Sequence, residues 1–554
     1  MQVVPSETLT KPAGKGRGRL AASSVDLWAI GITIVIGGQF FSWNAGLVVG
    51  TVGFGLAVGV VGVAYLCLAC SMAEMSSMLP FAGGVYGFSR CTLGFYAGFI
   101  LGCCEILEYL LYVVSVNVTL GRLVSAWWPL MQPYEPVVWF ASHAFSLVIL
   151  CVGGKVFWRF NLALAIALVG FVLMYCVGSA SYANIWEHGG GSDWLFHGSS
   201  VFDFVRAFPM AMWFFTGIEA LNTLPNEVTN PKTTIPKGQV AAMATLLVTA
   251  TAIYVMSLSL PPGVRQLPTV LSIFNGGFVQ IFNLHDDAAT LLSIPACYAS
   301  TPGFLLASGN IVTALADSKL LPHVLHRRHP SLGTPVRALC CTTLASFGLC
   351  FFVFFHPGVD AVFYLLAMFF GCLAYTSQCV GYLFLKKRYR SMPRTFTSPF
   401  GVAGAVFAAL TFTLCVLSIA FFQDDGHAAH VIMVAFVVAL SIYYHGYAKT
   451  RQIMSEDERK VLFFVHVGTY DLMGFTTRLV IYMYINIYVV ANHNGAKHKH
   501  RKQRGRLANL YKLLHRRMLQ VGPPSTSKTT QHTTKRDVPT VSTQAPCTTD
   551  VKRY

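Results

Sequence analysis

Three glutamates, Glu105, Glu108 and Glu219, lie inside long apolar runs, where an ionisable side chain costs roughly 2.5–3.5 kcal/mol if the run crosses a membrane. Such groups are functional candidates by default. Glu105 and Glu108 are three residues apart, so on a helix they share a face. Two carboxyls on one buried face invite a cation, and Tyr109 and Tyr112 beside Glu108 add aromatic walls suited to one. The competing reading makes one of the pair, Glu105 in particular, a structural carboxyl, with the other in a wet cleft. Glu219 closes the stretch Trp213-Phe214-Phe215-Thr216-Gly217-Ile218-Glu219, a mid-run glycine followed by a carboxylate. A second interruption, Ile36-Gly37-Gly38-Gln39-Phe40-Phe41-Ser42-Trp43-Asn44-Ala45-Gly46, mixes glycines with polar side chains in the first apolar run. Glycine costs about 1 kcal/mol per residue in a helix interior relative to alanine, so the cluster either unwinds the helix or packs it closely against a neighbour. Unwound backbone at membrane depth is tolerated only where it is buried in protein or lines a cavity.

The surrounding chain is that of a membrane protein. Of 554 residues 54% are hydrophobic and 11% charged, against roughly 25% charged in soluble domains. Runs long enough to span occur at 27–49, 52–72, 93–120, 137–152, 162–179, 204–224, 240–260, 288–314, 336–355, 359–385, 402–422 and 428–447, which predicts an all-α polytopic protein of about 12 transmembrane helices. With the amino terminus inside, the inner segments up to Lys460 carry 22 Lys and Arg, and the outer ones only Arg122, Arg206 and Arg265. This split follows the positive-inside rule and places both termini in the cytoplasm. The net charge of +17 therefore sits in loops and tails and does not indicate a nucleic-acid partner.

The expected organisation is a basic cytoplasmic segment over 1–26 without a removable signal peptide, a twelve-helix domain over 27–447, a cytoplasmic segment over 448–474, and a tail over 492–554. A thirteenth apolar run, 475–491, is short and contains Arg478. If it crossed, Lys499, Arg501, Lys502, Arg504, Arg506, Lys512 and Arg516 would lie outside, so it is assigned to the interface plane. The basic tail then faces the anionic lipids of the inner leaflet, and its Ser, Thr, Pro and Lys content past Gly522 predicts disorder. The 15 cysteines are odd in number and mostly sit in apolar runs, which argues against a secreted disulfide framework. No phosphate loop, dinucleotide fingerprint, HExxH or paired CxxC occurs, so no enzyme activity, metal site or cofactor is expected.

Interrupted helices at matching positions in two halves point to a secondary transporter built from inverted repeats, spans one to five matching six to ten. The residues also resemble a known family, the amino acid–polyamine–organocation transporters, and within it the ethanolamine permease-like branch. The resemblance covers about 26–465. It rests on the first-run segment Gly37 to Gly46, on Ala73-Glu74-Met75-Ser76-Ser77-Met78-Leu79-Pro80-Phe81-Ala82-Gly83-Gly84-Val85-Tyr86, and on Glu105-Ile106-Leu107-Glu108-Tyr109. Trp213 to Glu219 and Asn226-Glu227-Val228-Thr229-Asn230-Pro231-Lys232, followed by Ile235-Pro236, complete it.

The resemblance implies a five-plus-five inverted repeat with broken helices one and six, two further helices, and alternating access. It implies that Gly37 and Gly38 present backbone N–H groups to substrate, that Trp213 gates it, that Thr216 and Gly217 line the unwound turn with Phe215 beside them, and that Glu219 handles coupling. Gln39 departs from the family's small-residue triplet, narrowing the pocket and adding an amide. The fifth run, 161–168, lacks a lysine that some proton-coupled relatives carry, and Asp317 stands where arginine is common, so the coupling ion, H+ or Na+, stays open. Ser300 and Thr301 either offer oxygens to sodium or pack helices, and with Glu105 they are the further coupling candidates beside Glu219. The expected function is a plasma-membrane permease for a small amine or amino acid. The alternative is a membrane nutrient sensor that binds such molecules with little flux.

Overall fold

The computed structural model describes residues 22–195, 200–329, 333–356, 358–390, 392–423 and 428–454. The expectations for 1–21, for the run at 475–491 and for the basic tail lie outside these residues. The described chain is all-α, a multi-pass membrane architecture with one isolated bridge between Ala22 and Val228. Its principal helices are α1 (Ser24–Val35), α2 (Thr51–Met78), α3 (Phe95–Trp127), α4 (Glu135–Val152), α5 (Gly154–Gly178), α6 (Val201–Ala207), α7 (Pro231–Leu258), α8 (Ile294–Asp317), α9 (Val336–Phe355), α10 (Val359–Arg388), α11 (Gly401–Phe421) and α12 (Ala428–Tyr443).

Among the described residues ten helices are long and apolar enough to cross a membrane. The count is eleven when the bent pair Ser24–Phe40 and Trp43–Val49, at 45° to one another, is taken as one crossing. The sixth apolar run is in short pieces, α6 followed by 3-10 turns at Phe208–Phe214 and Ile218–Thr223, so helix length alone does not count it.

Local chemistry sets the boundaries. A reciprocal capping box opens α1: the Asp26 N–H donates to Ser23 Oγ at 3.3 Å and the Ser23 N–H to Asp26 Oδ2 at 2.8 Å. Pro231 sits in the first turn of α7, where its missing N–H costs nothing. Gly153 and Gly154, at φ +57° and +56°, turn the chain sharply from α4 into α5 in a backbone region that side chains disfavour.

Four of the five pairs of helical segments five places apart pack on each other. α2 lies against α7, α3 against α8, α4 against α9, and α1 against the Ile218–Thr223 turn. At one end of α2, Glu74 is fully buried. It is held by Lys386 Nζ at 2.8 Å, Arg394 Nε at 3.0 Å, the Tyr382 hydroxyl at 2.7 Å and the Ser398 N–H at 2.9 Å, which ties α2 to α10 and to the segment before α11. Beyond α12 the chain makes a π turn, Tyr444–Ala448, and returns over the end of α8, where the Ile453 N–H donates to Ser318 O at 3.0 Å.

Candidate functional site

Side-chain amides donate to backbone carbonyls in and around the two interruptions. Gln39 Nε2 donates to Phe214 O at 3.1 Å and to Leu246 O at 3.0 Å. Gln239 Nε2 reaches Ile218 O at 3.3 Å, Asn222 Nδ2 reaches Glu219 O at 3.0 Å, and Asn310 Nδ2 reaches Thr223 O at 3.2 Å. In the first interruption Trp43 Nε1 donates to Gln39 O at 2.9 Å. These bonds satisfy backbone that a membrane interior would otherwise reject.

The first run breaks inside the cluster 36–46, just past the glycine pair. Gly37–Phe40 stays helical, Phe41 is extended, and Ser42 takes the left-handed conformation at φ +74°. The glycines serve close approach. A Cβ on Gly38 would lie 1.9 Å from Trp213 O, and one on Gly37 2.7 Å from Ser300 Oγ. In the sixth run the break falls where expected, with Gly217 at φ +104° and a would-be Cβ 2.5 Å from Ile34.

Both carboxyls of interest are fully buried beside this meeting point. Glu108 Oε1 accepts from the Tyr375 hydroxyl at 2.6 Å, and Glu219 Oε2 accepts from the Gly217 N–H at 3.2 Å. Among the described residues Glu108 Oε2, Glu219 Oε1 and the Tyr112 hydroxyl are buried without a hydrogen bond of normal geometry, although Tyr112 lies close to Glu108 and to Thr216, and Tyr375 and Tyr109 lie close to Glu219. No Lys or Arg pairs with either carboxyl among the described residues, in contrast to Glu74. Buried polar atoms normally find partners, so three unpaired ones in one neighbourhood mark a place for a ligand. Glu105 differs: Oε1 accepts from the Tyr109 hydroxyl at 3.0 Å and Oε2 from the Val85 N–H at 3.1 Å, at the start of the helix Gly84–Thr92. Its two oxygens are occupied.

Aromatic rings wall the same region. Trp213 meets Tyr112 edge-on at 5.7 Å and Tyr364 at 4.9 Å, and Phe304 packs on Tyr112 at 5.1 Å. The Tyr364 hydroxyl lies 3.4 Å from Ser42 Oγ and 3.3 Å from Thr119 Oγ1, so the left-handed residue of the first interruption touches the ring that covers Trp213. Thr216 Oγ1 is 3.1 Å from the Tyr65 hydroxyl, and Phe215 turns toward α2, its ring 5.8 Å from Tyr65.

Three sequence-identified residues stand apart from these unpaired atoms. Both ends of the Gln39 amide are engaged, since Oε1 also accepts from Thr249 Oγ1 at 2.8 Å. Ser300 Oγ donates to Thr33 O at 3.4 Å, and Thr301 Oγ1 accepts from Asn117 Nδ2 at 3.1 Å. Sequence reasoning missed Tyr375, Tyr65, Tyr364 and the amides Gln239 and Asn310. The available signal was polar side chains inside apolar runs, though it does not say which carbonyl each would meet.

The architecture is that of a multi-pass membrane protein whose two interrupted helices meet beside unpaired carboxyl oxygens. Residues 23–439 match the amino acid permease family, and the chain belongs to it, within the amino acid–polyamine–organocation superfamily. It is similar to the methylthioribose transporter of Bacillus subtilis, 23% identical over 420 residues, which cover 72% of this chain and 87% of that protein. It is similar to the branched-chain amino acid permease BcaP of the same organism at 27% identity, over 56% of this chain and 70% of BcaP. The aromatic amino acid transport protein AroP of Escherichia coli K12 is 24% identical, over 57% and 69% of the two chains. The protein is thus a membrane transporter and not an enzyme.

Proposed function

We propose that the protein is a secondary active permease of the plasma membrane that moves a small amine or amino acid by alternating access. The observation that carries this reading is the contact of two interrupted helices beside Glu108 and Glu219, each with one unpaired buried oxygen. The packing of helices five places apart supports a five-plus-five inverted repeat. The 201–223 segment then makes the twelfth crossing, and both termini are cytoplasmic.

In this mechanism a substrate ammonium meets Glu108 Oε2 and carbonyls freed at the sixth interruption. Any substrate carboxylate meets backbone amides of the first interruption, beyond Gly37 and Gly38, where the start of the Trp43–Val49 turn supplies the positive helix end. Trp213 closes over the substrate, and a cation–π contact there contributes up to about 2 kcal/mol once water is excluded. Glu105 shapes the site as a structural carboxyl, and Gln39 fastens the two interruptions together. The coupling ion is a proton taken up at Glu219 or a sodium ion held through Ser300 and Thr301; uptake driven by a proton gradient without sodium separates the two.

The test is purified protein in liposomes with labelled putrescine or leucine, and with ethanolamine, choline and the remaining amino acids as competitors. Accumulation against a gradient is the expected result. Binding without accumulation identifies a sensor, and neither binding nor accumulation overturns the reading. Glu108→Gln weakens cationic amines more than zwitterionic amino acids, because it removes a charge while keeping the shape; equal loss for both classes assigns Glu108 to the cycle instead of to recognition.

A further inference from the structure

Glu108 is received by a face of α10 shaped for it. Gly371 and Tyr375 are four residues apart and therefore lie one above the other on that helix. A Cβ on Gly371 would come within 2.6 Å of Glu108 Oε1, so the helix approaches the carboxyl only because this position has no side chain. The Tyr375 hydroxyl then donates to that same oxygen at 2.6 Å, a length typical of a strong O–H···O bond to a carboxylate. The donor is itself aimed by packing: its ring meets Tyr65 edge-on at 5.4 Å and Phe412 at 5.1 Å. Tyr65 in turn reaches Thr216 in the sixth interruption.

We infer that Gly371 and Tyr375 are positioning residues for Glu108: they fix its Oε1 and so reserve Oε2 as the oxygen that meets the cationic end of the substrate. This rests on the permease reading above. It adds that the tenth helix, through one hydroxyl and one missing side chain, sets the orientation of the recognition carboxyl on the third. Loss of the hydroxyl lets the carboxyl rotate, which weakens recognition of a cation without altering the gate.

Two measurements test this. In liposomes, Tyr375→Phe, which keeps both ring contacts, raises the KM for labelled putrescine about tenfold with kcat little changed, as expected for losing a hydrogen bond to a charged group. Gly371→Ala gives a similar loss by displacing Oε1. Adding Tyr375→Phe to Glu108→Gln produces little further loss, because the two residues act as one unit. Independent additive losses, or an unchanged KM in Tyr375→Phe, overturn the inference. In purified protein without substrate, the infrared carboxyl band assigned by its disappearance in Glu108→Gln shifts in Tyr375→Phe; an unmoved band also overturns it. A wild-type protein that accumulates no putrescine counts against the substrate reading, while the infrared band still judges the role of Tyr375.

Discussion

Gly38 and the carbonyl of Trp213 touch: a methyl group on Gly38 would stand 1.9 Å from that oxygen. The first and sixth interruptions therefore meet main chain to main chain. Gly38→Ala forces them apart, and overpacking of this kind costs about 1–3 kcal/mol. The expected outcome is a lower melting temperature in detergent and loss of most transport. Wild-type values for both would show that the two segments separate without cost.

Gln39 joins the same two segments from its side chain. Gln39→Leu leaves the Phe214 carbonyl without its amide donor, and a buried unsatisfied group costs about 1–3 kcal/mol. Thermal unfolding should show that loss, while Gln39→Glu, which can donate only as the protonated acid, should lose less than Gln39→Leu at low pH and progressively more as pH rises. A stable, active Gln39→Leu protein would remove the amide from this role.

Trp213 lies between Tyr112 and Tyr364, which brace it edge-on. Trp213→Ala should give protein that inserts and purifies normally yet transports far more slowly, because the substrate is no longer enclosed before the rocking step. Unchanged rate and apparent affinity would exclude Trp213 from the site.

Glu219 follows the left-handed Gly217, whose N–H it holds. Glu219→Gln keeps the shape and removes the titratable proton, so net uptake against a gradient should fall more than substrate binding. If the variant concentrates substrate with the wild-type dependence on the proton gradient, Glu219 does not couple transport to protons.

The carboxy-terminal region is tested by an epitope tag at Tyr554 in intact cells. Antibody access only after permeabilisation is expected if the 475–491 run does not cross, and access without it would mean that this run spans and the tail lies outside. A chain cut after Val465 should retain transport, and the seven or more basic residues between 497 and 517 should bind anionic vesicles at low salt and leave them at high salt.

The long helices were legible because apolar runs of membrane length leave few alternatives, and Gly217 was legible because its left-handed backbone suits glycine best. The cluster 36–46 offered unwinding or close packing as alternatives and does both: the chain unwinds at Ser42, while Gly37 and Gly38 are small because of neighbours 175 or more positions away in sequence. Pairings such as Gln39 with Phe214, Tyr375 with Glu108 and Asn310 with Thr223 belong to tertiary geometry. No local spacing encodes them. What separates Glu105 from Glu108 in the structure is likewise not set by spacing alone: Val85 and Tyr109 engage both oxygens of Glu105, whereas Tyr375 engages one of Glu108.

The four amides that cap the sixth interruption, from Gln39, Asn222, Gln239 and Asn310, each use nitrogen to meet a carbonyl. At these sites the protein distinguishes NH2 from O−, groups of almost equal size. A single-base codon change turns each of these residues into its acid, as does spontaneous deamidation. The resulting acid can meet the carbonyl only while it keeps its proton, so the substitutions that alter volume least should turn a pH-independent contact into one whose stability is lost as pH rises.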